Sequence, residues 1–329
     1  MTVQFINSSY ATGFPTFESM TTETPYQKIC QRYYEIEYQN YVYSLSNNNT
    51  SCSNNNSQVS SSNNNNKASG ANIAVVDFCN DSDSDIDLDG DGIGDMAHGN
   101  VVANLIKANT NANVFTFDIT KSSSGTTNQK LINNLQTILN DIKSGKRSYD
   151  ALNMSLSSRI TYEDLSKALG VKITKDNVSK YQSQIKNWLI NEGAKNGYAT
   201  TAQAVQLLEQ IAATGTSIYI AAANVNDGTD DELNLYTIAA NTTSVGALDK
   251  SGYKASFSFN NSLIDAWALG EIEVKKVKNS SGKLLGYDLN NDGIVDISGK
   301  YTSGGINSSN PFLKGTSFAS PYKLSQSIA

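Results

Sequence analysis

The chain has 329 residues, 39% of them hydrophobic, and a formal net charge of −6 at pH 7. This length is enough to bury a full α/β core, and the lack of a basic face argues against nucleic acid as a partner. No stretch is long and apolar enough to cross a membrane, and the spacing of the three cysteines, Cys30, Cys52 and Cys79, matches no zinc site.

Two segments precede the main domain. Residues 1–43 include an alternation of Tyr34, Ile36 and Tyr38 with glutamates, which is typical of a half-buried strand. Residues 44–67 are nearly all Asn and Ser and cannot pack a core, so they predict a flexible linker. We therefore expect an N-terminal extension over residues 1–43, a linker over 44–67 and the main domain over 68–329.

Strand and helix signals alternate through the main domain. The apolar run Ile73–Val76 predicts a buried parallel strand, and Asp77 stands at its end. Two amphipathic helical patterns follow, and an apolar strand pattern comes after each of them. The helical patterns lie at residues 131–142 and 205–211, and the strand patterns lie at 151–156 and 218–223. This alternation predicts a parallel sheet covered by helices.

Two acidic loops share one template, with oxygen-bearing side chains at positions one, three, five and nine and glycine at position six. They are DLDGDGIGD, residues 87–95, with Asp87, Asp89, Asp91 and Asp95, and DLNNDGIVD, residues 288–296, with Asp288, Asn290, Asp292 and Asp296. Alternating oxygens and a sharp glycine turn suit a hard cation of calcium's size. Because neither loop has a glutamate at position twelve, we expect structural calcium sites with a Kd of about 10⁻⁴–10⁻³ M. The alternative is a solvated acidic turn without metal.

The chain contains a single histidine, His98, and a serine in a context that suits a nucleophile. The sequence GTSFASP, residues 315–321, places Ser317 on a glycine-led turn that runs into a helix. Such a serine needs a base, which His98 can supply, and Asp77 is the candidate that would orient the imidazole. Each residue also has a structural alternative, as a packed histidine, a helix N-cap serine or a strand-end aspartate.

The order aspartate, histidine, serine and several sequence blocks resemble the subtilisin-like serine peptidases. The blocks are IAVVDFC around Asp77, HGNVVANLI at 98–106, LNMSL at 152–156, YIAAAN at 219–224, TSVGALD at 243–249 with ASFSF at 255–259, and GTSFASP. The resemblance implies a three-layer, doubly wound α/β fold with a mainly parallel sheet and helices on both faces. It also makes residues 159–200 an insertion relative to the family, and it makes a pro-segment the alternative to a simple N-terminal extension at residues 1–43.

The same resemblance implies a serine endopeptidase that forms an acyl-enzyme. Ser317 would be the nucleophile, His98 the general base and Asp77 the residue that orients it. Asn224 and the Ser317 N–H would stabilise the oxyanion, with Asn226 as the alternative to Asn224. The residues that would line the substrate cleft are Ser155, Leu156, Ser157, Ala222 and Ala223.

The resemblance further implies a peptide or protein substrate, no organic cofactor and a monomer. Calcium loops of low affinity favour a location outside the cell or at its surface, while the lack of a visible signal peptide leaves the cytoplasm as the alternative.

Some positions depart from the family pattern. Phe78 and Cys79 follow the aspartate where smaller residues are usual, Ser157 and Ser158 replace glycines, and Ala223 replaces the glycine before the oxyanion asparagine. Cys79 is either a reactive thiol beside the active site or a buried structural cysteine. Two alternatives to a peptidase therefore remain, an inactive relative and a calcium-stabilised module that binds peptides.

Overall fold

The computed structural model describes residues 69–80, 85–122, 125–225, 229–299 and 311–328. The expected N-terminal extension at 1–43 and the linker at 44–67 lie outside these ranges, as does Asn226.

Strands and helices alternate as the sequence predicts. The strands are β1 (Ser69–Asp77), β2 (Asp85–Ile86), β3 (Met96–Ala97), β4 (Asn111–Asp118), β5 (Ala151–Met154), β6 (Arg159–Thr161), β7 (Ser217–Ala221), β8 (Glu232–Asn234), β9 (Thr243–Leu248), β10 (Ala266–Leu269), β11 (Glu271–Glu273), β12 (Lys275–Lys278), β13 (Leu284–Asp288), β14 (Ile297–Ser298) and β15 (Phe312–Lys314). The α-helices are α1 (His98–Asn109), α2 (Thr127–Lys143), α3 (Tyr162–Leu169), α4 (Gln182–Asn191), α5 (Ala199–Ala212) and α6 (Thr316–Ile328). Within the described ranges, no helix combines the length and apolar character that a membrane span requires.

The central sheet has six strands in the order β10-β9-β7-β5-β1-β4. Every pairing within it is parallel, which confirms the predicted parallel sheet. The remaining strands form small ladders at the margins, such as β6 with β8 and β12 with β13 and β14. The sequence periodicity did not predict these short ladders, because two to five residues carry too little pattern.

Helices cover both faces of the sheet, so the three-layer prediction is confirmed. Successive residues of β1 point to opposite faces, as in any strand. Ala74 and Val76 pack in a core with apolar residues of α2, α3, α4 and α5. Ile73 and Val75 pack in a second core with apolar residues of α1 and α6.

The parallel topology brings the predicted functional residues to one edge. Carboxyl ends of parallel strands meet at the same side of a sheet, which is where open α/β folds place their sites. Asp77 ends β1, Ser155 follows β5 and Asn224 follows β7. The helices α1 and α6, which begin at His98 and Thr316, pack against each other on one face of the sheet.

A glycine at the start of α1 allows the helix to lie directly against the end of β1. The Gly99 N–H donates to the Phe78 carbonyl at 2.7 Å. A Cβ at Gly99 would stand 2.8 Å from the Asp77 Cβ, 2.8 Å from the Cys79 Sγ and 2.9 Å from the Phe78 carbonyl oxygen. Since these distances are shorter than van der Waals contact, any larger residue would push the helix away.

Gly99→Ala is expected to lower the free energy of unfolding by about 1–3 kcal/mol, because the added methyl group overpacks the junction of α1 and β1. Urea denaturation measures this quantity. Gly125→Ala is the matched control, since a Cβ there would meet only the Lys130 side chain at 3.7 Å. Equal stability of the two variants would contradict the close packing described above.

Candidate active site

Asp77 and His98 form a buried pair at the carboxyl edge of the sheet. The His98 Nδ1 lies 2.8 Å from the Asp77 Oδ1. Asp77 is 0% exposed and His98 is 2% exposed. The Phe78 N–H donates to the same carboxylate oxygen at 2.7 Å, which fixes the carboxylate. Because a carboxylate accepts the Nδ1 proton, the imidazole is held in the tautomer whose Nε2 accepts a proton.

Ser317 enters the same region on the first turn of α6. Its neighbour Phe318 lies against the imidazole, with 5.6 Å between the centroids of the Phe318 and His98 rings. Ser317 itself is only partly buried, whereas Thr316 and Phe318 on either side of it are buried. The structure therefore brings all three predicted residues, Asp77, His98 and Ser317, to one end of the molecule.

A chain of buried hydrogen bonds ties α6 to the end of β5. The Ser320 Oγ donates to the Asn153 Oδ1 at 2.7 Å, and the Asn153 Nδ2 donates to the Ser155 Oγ at 3.0 Å. The Ser155 hydroxyl donates in turn to the Ser317 carbonyl at 2.9 Å. This network positions the main chain of Ser317. The sequence analysis missed Asn153 and Ser320, although an asparagine within an apolar strand pattern was a usable signal.

The Asn224 side chain is oriented by the residue before Ser317. Its Oδ1 accepts from the Thr316 N–H at 2.9 Å and from the Thr316 hydroxyl at 3.1 Å. A backbone N–H can only donate, so the atom that faces it is the amide oxygen. The Asn224 Nδ2 then faces Gly315, 3.3 Å from where a Cβ of that residue would stand. This places an amide donor beside the first turn of α6, where the Phe318 and Ala319 N–H groups donate to the Gly315 carbonyl and the Thr316 N–H donates to Asn224.

Ala223 occupies a backbone conformation that favours glycine. Its φ is +85°, and it is buried. Glycine adopts this conformation without strain, so the chain holds Asn224 next to a strained residue. The alternative oxyanion residue, Asn226, lies outside the described residues.

The predicted cleft residues follow two neighbouring strands, and one of them, Ser155, contacts the main chain of Ser317. Ser155, Leu156 and Ser157 follow β5, while Ala222 and Ala223 follow β7, and these two strands are neighbours in the sheet. Because Ser155 donates to the Ser317 carbonyl, it also belongs to the scaffold of the nucleophile.

Cys79 is a buried thiol beside the pair rather than an exposed one. Burial, followed by the negative charges of Asp77 and Asp118, raises the pKa of Cys79 to about 12. The thiol therefore stays protonated at neutral pH, which favours the structural interpretation of this cysteine.

Asp118 lies beside Asp77 on the neighbouring strand, and the sequence analysis missed it. Burial acts to raise the pKa of Asp118, but hydrogen bonds from the Thr120 side chain and from backbone N–H groups outweigh it and lower the pKa to about 2. The Asp118 Oδ1 accepts from the Cys79 N–H at 3.0 Å. The Asn100 Nδ2 donates to the Cys79 carbonyl at 2.9 Å. Asp118 thereby fixes the residues directly after β1.

The first acidic loop gathers three carboxylates. Oxygens of Asp87, Asp89 and Asp95 lie within 4.8 Å of one another. Asp89 is 0% exposed, and its Oδ2 has no hydrogen-bond partner in the described part of the chain. Burial, with repulsion from Asp95 and its neighbours, raises the pKa of Asp89 to about 6. A buried carboxylate oxygen directed at other carboxylates fits a cation ligand, whereas Asp91 lies outside this cluster.

The second loop has the same pattern of backbone hydrogen bonds as the first. Asp87 and Asp288 each accept from the N–H two, three and five residues later, at 3.1, 2.6 and 2.9 Å in both loops. The ninth residues, Asp95 and Asp296, accept from the N–H of the second residue at 2.8 and 2.7 Å. The shared template therefore produces one shared conformation.

The two loops differ at their third position. The Asn290 amide nitrogen stands where Asp89 offers its second oxygen, and it donates to Asp292 at 3.1 Å and to the Ala108 carbonyl at 2.5 Å. Among the described residues, only the first loop brings three acidic side chains close together. The second loop thus has one ligand oxygen fewer.

No protein-family model matches the sequence, and no curated protein matches it. Solved structures with a similar fold include three proteases. A lanthipeptide protease is 14% identical, with a TM-score of 0.45, over 78% of this chain and 72% of that one. A cold adapted subtilisin-like serine proteinase is 14% identical, with a TM-score of 0.42, over 80% and 76%. The patellamide maturation protease PatA is 17% identical, with a TM-score of 0.42, over 80% and 78%. These likenesses concern the fold alone.

Ala223→Gly is expected to raise the free energy of unfolding by about 0.5–1 kcal/mol, because relief of the backbone strain exceeds the added freedom of the unfolded chain. Denaturant titration measures the difference. The control is Asn241→Gly, at a φ of +59°, where the gain should be smaller since asparagine tolerates this region. A loss of stability in Ala223→Gly would show that the strain is not relieved.

Proposed function

We propose that the protein is a serine endopeptidase that hydrolyses peptide bonds through an acyl-enzyme on Ser317. The observation that carries this proposal is the 2.8 Å contact between Asp77 and His98, buried at the sheet edge where α6 presents Ser317. A serine, an imidazole held in one tautomer and a buried carboxylate are the parts of nucleophilic acyl transfer.

The residues have distinct roles in the two half-reactions. His98 takes the hydroxyl proton as Ser317 attacks the carbonyl carbon, and it returns the proton to the leaving amine when the peptide bond breaks. Asp77 stays ionised and stabilises the imidazolium that forms between these steps. Water then gives a proton to His98 as it attacks the acyl-enzyme, and Ser317 recovers its proton as the acid product leaves.

The negative charge of the tetrahedral intermediate needs hydrogen-bond donors. The Asn224 side-chain amide and the Ser317 N–H would supply two, and the bonds from Thr316 to the amide oxygen orient this side chain. Donors held in place before the reaction need no reorganisation when the charge develops, which is why they stabilise the intermediate more than water does.

A fluorophosphonate is expected to label Ser317 covalently, because the reagent imitates the attacked carbonyl and is captured only by an activated serine. Mass spectrometry of the digested protein locates the label. Ser317→Ala and His98→Ala should lose it, whereas Ser327→Ala, which removes an exposed serine of the same helix, should keep it. Asn224→Ala should lower kcat on a peptide substrate by about 10²–10³, as for one oxyanion donor.

Absence of labelling discriminates between the two alternatives to a peptidase, the peptide-binding module and the inactive relative. A folded protein that stays unlabelled in the presence of calcium would contradict the peptidase proposal. Retained binding of peptides in that case would indicate the peptide-binding module, and loss of both would indicate an inactive relative.

We also propose that the first acidic loop holds a structural calcium ion, with Asp87, Asp89 and Asp95 as its carboxylate ligands. The support is the buried Asp89 oxygen among neighbouring carboxylates. A bound calcium ion would supply the positive charge that offsets their repulsion. The loop leads through β3 directly into His98, so a fixed loop also fixes the start of α1.

We expect the second loop to bind calcium more weakly than the first. Its ligands would be Asp288, Asn290, Asp292 and Asp296, held by the same backbone pattern. Since affinity follows the number of charged ligands, the asparagine at the third position lowers the affinity relative to the first loop.

Calcium sites of this affinity are typical of extracellular modules, so we propose a location outside the cell or at its surface. The substrate would be a peptide or protein. The enzyme would act as a monomer and use no organic cofactor.

Calcium at about 10 mM is expected to raise the free energy of unfolding by about 1.4–2.7 kcal/mol for a site with a Kd of 10⁻³–10⁻⁴ M. Denaturation with calcium or with a chelator measures the shift. Asp89→Asn, which gives the first loop the third-position residue of the second, should remove most of it. Glu163→Gln removes an exposed carboxylate on α3 and should leave the shift unchanged. No shift in the unmodified protein would favour plain acidic turns.

A further inference from the structure

The two segments predicted to line the substrate cleft, called its walls below, are joined by a buried side chain where they leave the sheet. One wall is residues 155–157 and the other is residues 222–224. The strands that lead into them, β5 and β7, pair up to Met154 and Ile220. Beyond this pair the Asn234 Nδ2 bridges the two segments, donating to the Leu156 carbonyl at 3.0 Å and to the Ala221 carbonyl at 2.8 Å.

Asn234 is held so that it cannot swing aside. It is 0% exposed, and its Oδ1 accepts from the Ser158 N–H at 3.1 Å and the Tyr236 N–H at 3.2 Å. An amide side chain has two donor hydrogens and an oxygen that accepts twice, and these bonds use all of them. Asn234 is therefore a fixed wedge between the walls.

A buried ion pair lies next to this wedge. Arg159 and Glu232 belong to β6 and β8, and their side chains are 4% and 7% exposed with 3.0 Å between Nη1 and Oε2. The main chains of Arg159 and Asn234 are directly opposite each other in this ladder. Because each charge offsets the other, the pair presents no net charge to the cleft.

The Arg159 guanidinium also connects one wall to the other. Its Nε lies 3.5 Å from the Ser157 Oγ, and its Cζ lies 5.0 Å over the Phe259 ring. Phe259 is fully buried and packs against Ala222 and Ala223. The guanidinium and the ring thus fill the gap from the first wall to the second.

These buried side chains limit which substrate side chains the cleft can accept. In the proposed peptidase a carbonyl under attack would lie against Ser317 and Asn224, and the side chain of the residue that supplies it would then enter between the two walls. A bulky side chain there would displace Asn234 or separate a buried ion pair, and both changes leave buried polar groups without partners.

We propose that Asn234, Arg159 and Glu232 close the side-chain subsite next to Ser317, so that the protein cleaves after glycine, alanine or serine. The inference rests on the proposed peptidase function and names the substrate class of that same site. Arg159, Glu232 and Asn234 are specificity-determining residues in it and take no part in proton transfer.

The test is a set of internally quenched peptides that differ only in the residue before the cleaved bond, which is glycine, alanine, serine, leucine, phenylalanine, aspartate or lysine. Mass spectrometry of the products locates the cleavage, and kcat/KM is measured for each peptide in calcium. We expect kcat/KM to be about 100-fold higher for alanine than for phenylalanine, a ratio that a site of restricted volume can reach.

Two kinds of variant open the subsite. The double substitution Arg159→Ala with Glu232→Ala removes both charges together, and Asn234→Ser shortens the wedge. Each should raise the ratio of kcat/KM for phenylalanine over alanine by at least about 10-fold. The matched control is Lys186→Ala with Glu209→Ala, which removes an ion pair between α4 and α5 and should leave the ratio unchanged. Circular dichroism confirms that each variant folds, and either opening variant alone tests the inference.

The outcomes are distinguishable. A fluorophosphonate-labelled protein that prefers leucine, phenylalanine, aspartate or lysine would overturn the subsite and leave the peptidase proposal standing. An unchanged ratio in folded opening variants would likewise overturn it. The absence of both labelling and cleavage would overturn the peptidase proposal itself and the inference with it.

Discussion

The hydrogen bond between Asp77 and His98 is the interaction on which the site depends. Both groups are removed from water, and one oxygen of the buried carboxylate, the Asp77 Oδ1, accepts from both His98 and the Phe78 N–H. That geometry requires α1 to lie directly against the end of β1, which Gly99 allows because it has no side chain. Asp118 accepts from the Cys79 N–H and so fixes the residues directly after β1. One close helix-to-strand junction thus holds the base and the group that orients it.

The carboxyl edge of the sheet is built differently from the rest of the protein. Apolar cores on both faces hold the layers together, whereas this edge contains buried polar side chains whose hydrogen bonds run across elements. Asn153 links α6 to β5, and Asn234 links the two walls of the cleft. Ala223 adds backbone strain at the same place. Such features cost stability, and they concentrate where a site has to be held in one geometry.

The two acidic loops are connected to the same helix, α1, at its two ends. The first leads into His98 at the start of α1, and the second contacts the Ala108 carbonyl near its end through Asn290. Lys276, on β12 of the strand ladder that carries the second loop, donates to the Asp89 carbonyl of the first at 2.9 Å. Any ion held in these loops would therefore act on the position of α1 rather than on the reaction itself.

The sequence by itself determined the layered parallel fold, the position of Asp77 at a strand end, the glycine-led turn before Ser317 and the two matching loops. These features depend on periodicity and turn chemistry, which neighbouring residues settle among themselves. Only the tertiary structure decided that Asn234 joins the two walls, that Arg159 pairs with Glu232 and that Asn153 supports α6. Those contacts join residues far apart in the chain, and their distances follow from strand order and register, which no local pattern records.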